Sequence, residues 1–127
     1  MDEPIWLSRQ VVEIIHLEQI AEHGGRGGLR DEAVLESALA RPRQSFTYDA
    51  DPTLPQLAAA LCIGLARNHP FIDGNKRVAL LAMYTFLELN RLVLEADELE
   101  AAEVIESLAA GKLDEDALAA WVGDHVR

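Results

Sequence analysis

Residues 75–89 constrain the fold of this chain most. Val78, Leu81, Ala82, Thr85, Phe86 and Leu89 recur at helical spacing, and Leu80, Met83 and Leu87 lie off that stripe. A helix apolar on most of its sides has to be covered on most of its sides. The rest of the chain must therefore supply elements that wrap it, and those elements also read as helices. Ser8 is placed as an N-cap for Val11, Val12, Ile14, Ile15, Leu17 and Ile20, with an end near His23. Asp31 heads a short segment with Val34, Leu35, Ala38 and Leu39 that should stop at Arg41-Pro42. Thr53 and Gln56 have capping-box spacing, and Leu57, Leu61 and Leu65 then share one face up to about Asn68. Asp97 and Glu100 form a second capping pair, and Asp114 opens a last helix containing Trp121.

The expected architecture is all-α, a compact bundle of about six helices around the central apolar helix 75–89, as a single domain over residues 1–127. Residues 43–55 are expected to be a loop anchored by Phe46 and Tyr48, and Leu92-Val93-Leu94 a brief extended piece. At this length, folding buries roughly two-thirds of the surface the unfolded chain exposes. Gly24-Gly25-Arg26-Gly27-Gly28 lacks the Lys-Ser/Thr of a phosphate loop, so it reads as a connector with a C-cap glycine.

Charge excludes several function classes. Against 22 Asp and Glu stand 11 Lys and Arg, a net charge of −11. That balance disfavours nucleic acid and anionic membrane surfaces as partners. No apolar run is long enough for a membrane span, the first residues are acidic, and the expected location is the cytoplasm. Cys62 has no partner for a disulfide and lies between Leu61 and Ile63, a place for a small core residue. His16, His23 and His125 show no metal-ligand spacing with His69, so zinc catalysis is set aside. The acids between Glu88 and Glu106 read as a solvated helix face.

One stretch departs from the acidic background. His69-Pro70-Phe71-Ile72-Asp73-Gly74-Asn75-Lys76-Arg77 runs directly into the apolar helix. A helix start offers unpaired N–H groups and the positive end of a dipole, which suits phosphate. Lys76 and Arg77 oppose that dipole by roughly 0.3–1 kcal/mol each, an arrangement that stabilises an anion at the helix's own expense. Asp73 can hold Mg²⁺ together with phosphate oxygens and water. Gly74 lets backbone approach a ligand, Asn75 can cap the helix and orient the loop, and His69 titrates near neutrality and can take a proton from a hydroxyl. Arg67, two residues earlier, can add a third cation or form a surface salt bridge. These residues describe a phosphoryl-handling site.

The same nine residues closely resemble the signature of the Fic/Doc superfamily, and Lys76 between Asn75 and Arg77 resembles its death-on-curing (Doc) branch. Typical Fic AMP-transferases have glycine there and often an arginine downstream, where Leu81 stands. Gly24-Gly25 through Gly28-Leu29-Arg30-Asp31, Leu35-Glu36-Ser37-Ala38-Leu39 and Arg41-Pro42 look like the Doc-type N-terminal half. Arg91 stands where relatives commonly have glycine. The resemblance implies the toxin of a type II toxin–antitoxin pair. The activity implied is a kinase that moves a phosphate from ATP to a hydroxyl of a translation protein, elongation factor Tu. It makes His69 the general base, with Lys76 and Arg77 catalytic, Asp73 the Mg²⁺ ligand, and Gly74, Asn75, Lys76 and Arg77 the anion-binding turn. It also implies an antitoxin that lays a helix in an apolar groove. The alternatives are an AMP-transferase on the same fold and a module that binds nucleotide or a partner without turnover.

Overall fold

The computed structural model describes residues 1–127 and contains six α-helices: α1 Arg9–His23, α2 Glu32–Tyr48, α3 Leu54–Asn68, α4 Asn75–Leu89, α5 Glu98–Ala109 and α6 Glu115–His125. There is no sheet. Leu29 pairs with Phe71, and Leu94 with Val126, as isolated bridges. Val93 and Arg127 exchange both backbone hydrogen bonds beside the second bridge, so the extended piece at 92–94 docks the C-terminus.

The helix starts follow their caps. Ser8 accepts from the Val11 N–H, Asp31 from Val34 and Asp114 from Ala117. At Thr53 both halves of the capping box are made. At Asp97 only one is: the carboxylate accepts from Leu99 N–H, while Glu100 turns away to accept from the Trp121 indole at 2.8 Å. The Asp97 cap is thus made, and the Glu100 half of the predicted pair is an α5–α6 tie instead.

The centre of the bundle is α3, not α4. Every residue from Leu57 to Ala66 is buried, and α2, α4, α5 and α6 all pack on it. Leucine spacing shows one face, whereas Ala58, Ala59, Ala60, Gly64 and Ala66 open the others to close approach. A Cβ on Gly64 would stand 3.0 Å from Ala38 Cα and 2.9 Å from Arg41 Cδ, which measures how tightly α2 is seated. Helix α4 buries Val78, Ala79, Ala82, Met83, Phe86 and Leu87, and Leu89 is exposed. The face left over carries Lys76, Arg77 and Leu80.

Two other expectations are corrected. Helix α2 passes through Pro42 and continues to Tyr48, where the sequence pattern suggests a loop. An interior proline costs about 3 kcal/mol, and packing on both sides of it offsets that. Ala38 abuts Gly64, Arg41 Nε donates to the Ala60 carbonyl, and Phe46 meets Trp6 edge-on at 5.8 Å. Tyr48 anchors nothing and is exposed. On α1 the buried line is Val12, His16 and Gln19, with Ile14 and Leu17 in solvent. The face covered most is the narrow one against α4, with a smaller contact to α2. Arg9 ties α1 to α2 through Glu32 and Glu36, each at 2.7 Å.

Candidate active site

Helix α3 ends at Asn68, and His69 takes the left-handed conformation (φ 52°, ψ 62°) as its C-cap. Few non-glycine residues adopt that region, so neighbours must hold it. Arg30 does: its guanidinium donates to the carbonyls of both Asn68 and His69. The N–H groups of Arg30 and Asp31 both donate to the Pro70 carbonyl, at 2.8 and 3.1 Å, and Ile72 N–H donates to Gly28 at 3.1 Å. The segment from Gly28 to Asp31 therefore runs alongside the motif and fixes the corner on which the imidazole stands.

The glycine-rich stretch does more than connect. Gly24 closes α1 through its N–H to the Ile20 carbonyl, as a C-cap glycine should. Gly25 then lies so close to Asp73 that a Cβ would come within 2.8 Å of Oδ2. The Arg26 N–H reaches the same oxygen at 3.3 Å.

Asp73-Gly74-Asn75 makes the turn into α4. Gly74 is left-handed (φ 78°), and no side chain caps the helix. The first-turn N–H groups are consequently left for solvent or an anion. Asn75 is not the cap. It is the first residue of α4, is buried, and closes a ring on Phe71, accepting from its N–H and donating to its carbonyl, both at 2.9 Å. Phe71 is buried in turn, with its ring stacked on His16 at 3.9 Å. The Nε2–H of His16 donates to the Asp73 carbonyl at 2.9 Å. Ligand spacing alone gives His16 no role in the sequence. Its position four residues after Val12, on the covered face of α1, is the signal that could have found it.

A cleft of about 570 Å³ opens between α4 and α5, lined by His69, Ile72, Asp73, Gly74, Asn75, Lys76, Arg77 and Leu80, with Ala102, Ile105 and Glu106 of α5 opposite. Six of the seven sequence-predicted site residues share it. Arg67 does not. Its guanidinium donates to the carbonyls of Leu108 at 2.8 Å and Leu113 at 2.6 Å, so it fastens the C-terminal end of α5 to α3. Proximity in sequence placed it near His69, but it leaves α3 on a different face. His69, Asp73, Lys76 and Arg77 are exposed. Lys76 pairs with Glu106 at 2.8 Å, so this acid belongs to the cleft and not to a featureless solvated face.

Asp73 Oδ1 accepts from Gly74 N–H at 3.0 Å and Oδ2 from Arg26, leaving lone pairs on both oxygens. No three His, Cys, Asp or Glu side chains converge. A lone loop carboxylate beside an uncapped helix start fits Mg²⁺, which takes most of its ligands from phosphate and water.

Residues 6–87 match the profile of the Fic/DOC family. The chain is 43% identical over 100 residues to the protein named Toxin Doc of Mycolicibacterium smegmatis, covering 76% of this chain and 77% of that one. It is 27% identical over 113 residues to Protein kinase doc of Escherichia phage P1, covering 89% of each. The motif cleft, the segment that clamps it and these likenesses agree, and the chain belongs to the Fic/Doc family.

Proposed function

We propose that this chain is the toxin of a type II toxin–antitoxin pair, a Mg²⁺- and ATP-dependent kinase acting on a hydroxyl of a translation protein, with elongation factor Tu the expected target. The observation that carries the reading is one cleft holding an exposed imidazole, a loop carboxylate, an uncapped helix start and two cations. The relatives named Toxin Doc and Protein kinase doc support it. No helix is long and apolar enough to cross a membrane, which is compatible with a site of action in the cytoplasm.

Phosphoryl transfer asks mainly for positioning and charge stabilisation. The N–H groups at the start of α4, with Lys76 and Arg77, hold the phosphates. His69, fixed by Arg30, accepts the proton of the target hydroxyl as its oxygen bonds to the terminal phosphorus. The bond from that phosphorus to the bridging oxygen breaks, and ADP leaves. Asp73 would hold Mg²⁺ on the protein side, and the ion would supply neutralisation of the phosphate charge. Lys76 fills space and adds charge where glycine stands in AMP-transferases, which would orient the nucleotide with its terminal phosphate toward His69. The antitoxin partner would lay a helix into an apolar groove.

The test uses ATP labelled on the γ or the α phosphate, incubated with the chain and a target extract. Label from the γ position alone is the expected result, and it is lost in His69→Ala. Label from the α position alone would replace the kinase with an AMP-transferase. Equal growth arrest by wild type and His69→Ala would point to a binding module.

A further inference from the structure

We propose that Glu106 is a built-in competitor for the Lys76 ammonium and lowers the nucleotide affinity of the cleft. The inference rests on the phosphate-site reading above and adds a regulator to it. Glu106 lies on α5, outside residues 6–87 that match the family profile. Its carboxylate sits 2.8 Å from Lys76 Nζ, and both side chains line the motif cleft. Ala102, one helical turn before it, and Ile105 beside it line the same cleft, so this face of α5 forms its far wall.

Two effects of Glu106 oppose each other. An ammonium has three N–H donors, so a carboxylate that takes one can hold Lys76 in place while two remain for phosphate. The same carboxylate brings a negative charge next to the bound polyphosphate. Both side chains are substantially exposed, 46% for Lys76 and 66% for Glu106, so the orientation of Lys76 is a small gain. Repulsion acts on every charged oxygen in the cleft and wins. In the free chain Glu106 occupies the lysine, and ATP must displace or tolerate it.

The experiment is calorimetric titration of Mg-ATP into the full chain as wild type, Glu106→Gln, Glu106→Ala and Arg77→Ala. Glutamine keeps an oxygen that accepts from Lys76 but removes the charge. Glu106→Gln should bind about two- to fivefold tighter at low salt, the range of an exposed ion pair, and the difference should shrink in high salt. Glu106→Ala should also bind tighter than wild type. Equal or weaker binding in both Glu106 variants, with Arg77→Ala impaired, overturns the competitor role and leaves the phosphate site standing. A melting temperature lowered in the Glu106 variants with ATP affinity unchanged overturns it as well, since the pair would then only brace α5. No ATP binding by any of the four chains sinks the phosphate site and this inference with it.

Discussion

His16 on α1 donates its Nε2–H to the backbone carbonyl of Asp73 at 2.9 Å, across 57 residues of sequence. The same ring lies flat on Phe71. One side chain thus fixes two successive parts of the motif loop without standing in the cleft. His16→Ala should cost about 2–4 kcal/mol in urea unfolding, combining a lost buried ring and an unpaired carbonyl. His16→Phe keeps the stacking and should recover at least half of that. If both variants unfold as wild type does, the loop is held by other contacts.

Arg30 should act on chemistry more than on binding. Its guanidinium holds the Asn68 and His69 carbonyls, whereas the turn proposed to bind the anion is built downstream by Asn75 and Gly74. If His69 is the general base of the proposed kinase, target phosphorylation in Arg30→Ala falls at least about tenfold, because the base loses its geometry. ATP affinity should change less than about twofold. A matching loss of ATP affinity would show that the whole loop had moved.

Gly64 offers a test of the α2–α3 seat. Alanine there would press on the Ala38 backbone at 3.0 Å, which cannot swing aside as the Arg41 side chain can. A destabilisation of about 1–3 kcal/mol is expected from overpacking, measurable as a lowered denaturation midpoint. A stabilised protein would mean that α2 yields easily.

Arg91 should be improvable. It holds φ 68° just after α4, where Leu92 N–H reaches back to the Leu87 carbonyl. This is the position at which helices favour glycine. Arg91→Gly should raise stability by about 0.5–1 kcal/mol, the left-handed strain relieved less the added freedom of the unfolded chain. Thermal melts of the two proteins decide it.

Cys62 is fully buried, and burial pushes its thiol from 9.0 to about 12. A folded value above the unfolded one means stability is fully present below about pH 9 and is lost as pH rises toward 12. Thiol reagents at neutral pH should therefore label Cys62 only after unfolding. Cys62→Ala should flatten the alkaline fall in stability. Rapid labelling of the native protein would show that the α3 core opens.

The legible parts of this fold were those decided within a few residues. The caps at Ser8, Asp31, Thr53 and Asp114, and the bounds of α4, follow from local hydrogen bonding and periodicity. The motif was legible too, because it is contiguous in sequence, and six of the seven named site residues do meet in one cleft.

What sequence alone determined was the set of helices, the place of the turn at Asp73-Gly74 and the chemical character of the cleft. Tertiary structure decided which helix lies at the centre, since small residues on α3 reveal their value only when neighbours press against them. It carried α2 through Pro42, turned Arg67 toward α5, and brought His16, Arg30 and Glu106 to the motif from other helices and loops. Each of these depends on contacts between distant segments, whose energies are comparable to the local preferences they override. A pattern along one segment carries no record of them.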